Sequence, residues 1–195
     1  MLTLPKNTKY VLFDLDGTLA KFPIDYVAMR KELSEYFSIH KKSSGFKPLV
    51  QDIKDLAKEV SINDDVLEGR IIKHSFDIID RHEIASLDNC ILIEQVVESY
   101  IQCSASPEFK VAIITRNGRL LVDKFLEKYS LPVPDLISSR DDVINMKPDI
   151  EQFDFIYKVF QGSRKDYVLI GDSWHDKQLS EKAGMIFIDV KDLYK

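Results

Sequence analysis

Six consecutive residues, Asp14-Leu15-Asp16-Gly17-Thr18-Leu19, stand directly after the apolar run Tyr10-Val11-Leu12-Phe13. The run is made of residues that favour strands and ends in two acids and a glycine, the pattern of a buried strand that stops at a polar site. Residues i and i+2 of an extended chain point the same way, so Asp14 and Asp16 can face one reaction centre. Gly17 permits a sharp turn just beyond them. Strand-to-loop turns also use Asp and Gly for structural reasons alone. The meaning of these acids therefore depends on what the chain places beside them.

Further chemistry follows in order. Thr115 ends the β-rich run Lys110-Val111-Ala112-Ile113-Ile114 and precedes Arg116-Asn117-Gly118, which opens a helix. A hydroxyl there, with the free N–H groups of a helix start, makes a seat for a phosphate. Lys147-Pro148 comes next; proline suits a helix start and would hold Lys147 at its mouth. The last piece is Gly171-Asp172-Ser173-Trp174-His175-Asp176, after the run Tyr167-Val168-Leu169-Ile170. Asp172 falls at a strand's carboxyl end, where open α/β sheets bind ligands. Asp176 lies one helical turn on, where an acid also suits the helix dipole.

If these pieces converge, Asp14, Asp16, Asp172 and Asp176 share a site with the single ammonium of Lys147. Two carboxylates ~4 Å apart repel by about 4 kcal/mol at an effective dielectric of 20, and a phosphate adds to the excess. A hard divalent cation resolves the imbalance, and oxygen ligands with a substrate phosphate suit Mg²⁺. No His/Cys set favours Zn²⁺; His74 and His82 are eight residues apart rather than four.

The elements that must position these groups are legible as two kinds of text. Short β-rich runs occur near 9–16, 110–115, 134–139, 167–171 and 185–190, and between the later ones lie stretches of helical period such as Leu120, Leu121, Phe125 and Leu126. Asn117, Asp149 with Gln152, and Ser173 with Asp176 are the expected helix caps. Strand–helix–strand repetition with short links predicts an α/β fold, a doubly wound parallel sheet covered on both faces. From about 21 to 105 strand signals vanish. Val27, Leu33 and Phe37, then Leu49, Ile53 and Leu56, then Ile71, Ile72, Phe76 and Ile79, then Ile91, Val96 and Val97 mark successive amphipathic helices. The expected organisation is a core of residues 1–20 and 88–195 interrupted by a helical domain at 21–87.

Composition sets the class. The 195 residues carry a net charge of −5, with 45% hydrophobic and 30% charged residues, as expected of a globular protein. No basic stripe points to nucleic acid. No apolar run approaches the ~18 residues of a membrane span, and the first residues show no signal peptide. Cys90 and Cys103 have no metal-ligand spacing and read as reduced thiols. The expected location is the cytoplasm, with no nucleic acid or membrane partner.

With all four pieces in order, the chain resembles the haloacid dehalogenase-like superfamily, in its phosphatase branch. The motifs that carry the resemblance are Asp14-Leu15-Asp16-Gly17-Thr18, Thr115, Lys147-Pro148 and Gly171-Asp172-Ser173-Trp174-His175-Asp176. The resemblance implies a Rossmann-like core with an inserted helical cap, as in phosphoglycolate-phosphatase-like members. It implies a phosphatase acting on a small phosphorylated metabolite through an aspartyl-phosphate. In that scheme Asp14 is the nucleophile, Asp16 the acid and base, and Thr18, Thr115, Arg116, Asn117 and Lys147 hold the phosphoryl group. Asp14, the Asp16 carbonyl and Asp172 would ligate Mg²⁺, with Asp176 supporting the metal or Lys147. Ile150 stands where the family often has a second proline. A phosphosugar mutase on the same scaffold and a non-catalytic phospho-regulated domain remain open, as do monomer and homodimer.

The resemblance leaves substrate choice to the cap. Lys41, Lys42 and Lys47 in the loop 41–47 offer charge to an anionic substrate, against the simpler reading of a solvated loop. Tyr26 and Arg30, one turn apart, fit core packing and surface charge, and Trp174 reads as packing.

Overall fold

A computed structural model describes residues 3–42 and 44–193 of the chain. Two compact units emerge: one runs up to Phe22 and resumes at Asn89, and the other spans Pro23–Asp88.

The first unit is built on a five-stranded parallel sheet. In chain order its strands are β1 (Tyr10–Phe13), β4 (Lys110–Ile114), β5 (Leu136–Ser138), β6 (Tyr167–Gly171) and β7 (Ile186–Asp189), arranged β5-β4-β1-β6-β7. β1 pairs with β4 from Tyr10↔Lys110 and with β6 from Tyr10↔Tyr167. The central strands are apolar on both faces because helices cover both. Leu12, Ala112, Ile114 and Leu169 pack on one side against Phe153 and Ile156 of α6 (Glu151–Phe160) and Leu179 of α7 (Trp174–Ala183). On the other side Phe13 meets Tyr100 of α4 (Glu94–Ala105) edge to face at 5.4 Å. Helix α5 (Arg119–Lys128) follows β4. The sheet order reverses direction at β1, which brings the carboxyl ends of β1, β4 and β6 side by side and so sets the place for a site.

A two-stranded antiparallel ribbon, β2 (Ala20–Lys21) with β3 (Ile91–Leu92), pairs Ala20 with Leu92. It corrects the expectation of helix through this stretch. Ile91 is an exposed strand residue rather than part of a helix face, and α4 begins only at Glu94. Two-residue strands carry too little pattern to register as alternation.

The second unit holds α1 (Tyr26–Ser38), α2 (Leu49–Ser61) and α3 (Asp65–Ser86). Met29, Leu33 and Phe37 of α1, Ile53, Leu56 and Ala57 of α2, and Ile71, Ile78 and Ile79 of α3 form its buried faces. Asp25 caps α1 by accepting from the Val27 and Ala28 amides at 3.1 and 2.9 Å. Val27 lies outside the α1 core, at 78% exposure. Among the described residues no helix is long and apolar enough to cross a membrane.

Candidate active site

Asp14 is the first residue beyond β1, and its amide still donates to the Ile170 carbonyl of β6 at 3.0 Å. Its carboxylate is buried. Oδ1 accepts from the Leu15 amide at 2.7 Å and from the Lys147 ammonium at 2.7 Å. The chain then turns through Gly17, whose φ of +84° is a region that L side chains rarely adopt. A Cβ at Gly17 would lie 2.4 Å from Asp172 Oδ2. The glycine therefore serves twice, once for the turn and once to let the main chain lie against the Asp172 carboxylate. Asp16 Oδ1 accepts from the Phe22 amide at 3.1 Å.

Lys147 is the charge centre. Its buried ammonium donates to Asp14 Oδ1 at 2.7 Å, to Asp176 Oδ1 at 2.6 Å and to the Ile114 carbonyl at 2.8 Å. Asp176 is held from the other side by a capping box, with Oδ2 accepting from both the amide and the hydroxyl of Ser173. The Ser173–Asp176 cap expected from the sequence is present. Gly171 makes room for it, since a Cβ there would come 2.6 Å from Asp176 Cγ.

The other expected caps take a different form. α5 takes Gly118 as its N-cap, without a side-chain bond. Asn117 sits one residue earlier, where its amide donates to Thr115 Oγ1 at 3.2 Å and its Oδ1 accepts from that hydroxyl at 2.9 Å. α6 takes Ile150 as N-cap; Asp149 Oδ1 accepts from the Glu151 amide at 3.0 Å, but Gln152 makes no reciprocal bond and no capping box forms. Pro148 also stands three residues before Glu151, the start of α6, and not at the helix mouth. Gln152 instead turns inward onto the Lys147 amide and the ends of two strands. Nothing in its local pattern distinguishes that role from a cap.

Thr115 and Asn117 are buried, and Arg116 is exposed. One Nη1 of Arg116 lies 3.0 Å from His175 Nε2. Thr18 is wholly buried, and its hydroxyl has no hydrogen-bond partner among the described residues. Trp174, expected to pack, is 63% exposed and stacks on His175 at 3.8 Å between centroids. Of the loop lysines, Lys42 is committed to Glu59 at 2.8 Å; Ser43 in that loop lies outside the described residues. Arg30 lies over the Tyr26 ring at 5.5 Å and donates from Nε to the Phe46 carbonyl at 3.3 Å.

Electrostatics follow from burial. Loss of water pushes the Asp14 carboxyl up to about 7, with the Asp176 charge adding to the effect and Lys147 opposing it. Burial and the Asp176 charge also raise Asp172. For Asp176, burial is outweighed by the Lys147 ammonium and the Ser173 bonds, which hold it low. For Lys147, burial is outweighed by the two carboxylates, which hold it protonated. Burial and the Arg116 charge push His175 down to about 4.

These shifts give a pH signature. Between about 3.8 and about 7 folded Asp14 binds a proton that the unfolded chain does not. Stability of the metal-free protein therefore falls through this window from Asp14, and the loss is complete above it. His175 acts oppositely between about 4 and 6.5, so total stability is a poor readout. The difference is a good one. In EDTA, the melting temperature of Asp14→Asn minus that of wild type should rise from pH 4 to pH 7 and then level. A difference that is flat with pH would contradict the raised Asp14.

The three acids Asp14, Asp172 and Asp176 each offer an oxygen, and these oxygens lie within 4.8 Å of one another. The set is all oxygen, with one ammonium against three carboxylates, which suits a hard divalent cation. Both Asp176 oxygens already accept from Lys147 or Ser173, so its influence passes mainly through Lys147. The Asp16 carboxylate is outside this group.

Known proteins resemble this chain in sequence and in fold. The sequence profile of the haloacid dehalogenase-like hydrolases matches residues 11–190. Pyrophosphatase PpaX of Halalkalibacterium halodurans is 24% identical over 176 residues, covering 90% of this chain and 80% of that protein. A hydrolase from Pseudomonas syringae superposes with a TM-score of 0.63 at 20% identity, covering 96% of this chain and 89% of the other. CbbY from Rhodobacter sphaeroides, solved in complex with phosphate, does so with a TM-score of 0.61 at 16% identity, covering 93% and 86%.

Proposed function

The chain belongs to the haloacid dehalogenase-like hydrolase family, and on that premise we propose that it is a Mg²⁺-dependent phosphatase of a small phosphorylated metabolite, acting in the cytoplasm through a phosphoryl group carried on Asp14. The observation that carries the reading is the buried Asp14 carboxylate. Its Oδ1 is fixed by Lys147 and the Leu15 amide, while Oδ2 takes no donor from the described residues. One oxygen is anchored and the other is available to attack.

In this scheme Asp14 forms a bond to phosphorus as the bond to the leaving oxygen breaks. Asp16, two residues on, gives its proton to that oxygen and then takes one from the water that attacks phosphorus. Inorganic phosphate leaves and the Asp14 carboxylate is restored. Lys147 offsets charge on the phosphoryl oxygens, and the Thr115 hydroxyl, the Arg116 amide and Asn117 orient them. Thr18 is buried in the turn, where its amide donates to the Leu15 carbonyl at 3.2 Å. Asp14, Asp172 and the Asp16 main-chain carbonyl would hold Mg²⁺. When bound, the cation offsets the carboxylates and polarises the phosphoryl group. The name of the PpaX relative places inorganic pyrophosphate in the first panel of substrates to try.

The test is phosphate release from p-nitrophenyl phosphate, pyrophosphate and a set of phosphometabolites, with Mg²⁺ or with EDTA. Hydrolysis should require the metal. Mg²⁺ should also raise the melting temperature, because it binds the folded site alone, and Asp172→Ala should blunt the thermal response and the activity together. Full-rate hydrolysis in EDTA would overturn the metal assignment, and no hydrolysis of any ester would overturn the phosphatase reading.

A further inference from the structure

Gln152 is a fully buried polar side chain on the first turn of α6. Its Oε1 accepts from the Lys147 amide at 2.7 Å. Its Nε2 donates to the Thr115 carbonyl at 2.6 Å and to the Ser138 carbonyl at 3.2 Å, with Ser139 O at 3.4 Å. The partners fix the amide's orientation, because one is an N–H and the others are carbonyls. One side chain thus ties together the segment carrying Lys147, the end of β4 at Thr115 and the end of β5.

We infer that Gln152 is a positioning residue: it locks the Lys147 segment to the Thr115 strand end, so that ammonium and hydroxyl meet one phosphoryl group at a fixed spacing. The inference rests on the phosphatase reading. Lys147 lies in irregular chain between β5 and α6, and Thr115 is 32 residues away. Beside the bond from the Lys147 ammonium to the Ile114 carbonyl, which holds the tip of the side chain, Gln152 ties the Lys147 main chain to the Thr115 main chain from a rigid helix. A misplacement of about 1 Å in such groups can cost about a hundredfold in rate. An apolar side chain would fill the same space but leave the Lys147 amide and the Thr115 carbonyl without this partner.

The test compares Gln152→Leu and Gln152→Glu with wild type. Hydrogen exchange at the Lys147 amide reads the bond without any activity. Kinetics with p-nitrophenyl phosphate, taken well below each melting temperature and per folded molecule, read its consequence. Gln152→Leu should speed Lys147 exchange at least about tenfold. It should lower kcat at least about tenfold and leave KM within about threefold, because the lost alignment matters most in the transition state. Gln152→Glu keeps an acceptor for the Lys147 amide but loses the N–H that serves the Thr115 carbonyl, so it should retain slow exchange at Lys147 and still lower kcat at least about tenfold. It also serves for the comparison if Gln152→Leu does not fold. A purely structural Gln152 would lower the melting temperature while kcat per folded molecule stayed at the wild-type value, and that result would overturn the inference, as would unchanged exchange at Lys147. An inactive wild type would fail the phosphatase reading instead, leaving the exchange result to decide whether Gln152 holds Lys147.

Discussion

Asp14→Asn is expected to lower kcat by more than about a thousandfold while the protein stays folded. The substitution keeps the shape of the side chain and the acceptor for the Leu15 amide and removes the nucleophilic oxygen. Loss of acid–base assistance alone costs about 10²–10⁴, and loss of the nucleophile in a covalent mechanism reaches about 10⁶. The fold should tolerate the change, because the buried carboxylate is charged against its preference: its pKa is pushed up to about 7. Asparagine removes one of the two carboxylates on Lys147 and leaves Asp176 as its partner at 2.6 Å. Steady-state phosphate release from p-nitrophenyl phosphate measures the effect. A variant within tenfold of wild type would remove Asp14 from the role of nucleophile.

Asp16→Ala is expected to damage the two halves of the cycle unequally. An alkyl phosphate ester leaves as a strong base and needs a proton, so its hydrolysis should fall by about 10²–10⁴. p-Nitrophenolate departs without a proton, so the first step with that ester should suffer far less. The second step then lacks the base that activates water. The measurement is the ratio of single-turnover rates for the two esters, in wild type and variant. The variant should favour the p-nitrophenyl ester by at least about tenfold more than wild type does. An unchanged ratio would place the acid elsewhere.

The α/β class and the superfamily were legible because Asp14, Thr115 and Asp172 each sit at a strand end, and buried parallel strands write themselves as short apolar runs. Tyr10–Phe13, Lys110–Ile114 and Tyr167–Gly171 are such runs, and each delivers an acid or hydroxyl directly after its last residue. The Ser173 cap was legible because its whole geometry is local, within the four residues Ser173 to Asp176. Gln152 was not, because the same pattern describes a cap and an inward bond to residues 37 positions away. The β2–β3 ribbon joins Ala20 to Leu92, and pairing across such a distance leaves no periodic trace in two-residue strands. Trp174 illustrates the opposite error: apolar bulk suggested packing, whereas its place on the exposed face of the first turn of α7 leaves it stacked on His175 in solvent.

The central claim, a phosphoryl group carried on Asp14, is tested most directly by trapping it. Asp16→Ala is mixed with p-nitrophenyl phosphate and Mg²⁺, quenched in acid within the first turnovers, reduced with borohydride and digested. An acyl phosphate at Asp14 is reduced to homoserine, which peptide mass spectrometry locates. Homoserine at position 14, absent without substrate and absent in Asp14→Asn, is the predicted result. Release of nitrophenolate with Asp14 unmodified at every quench time, or the adduct on another residue, would contradict it.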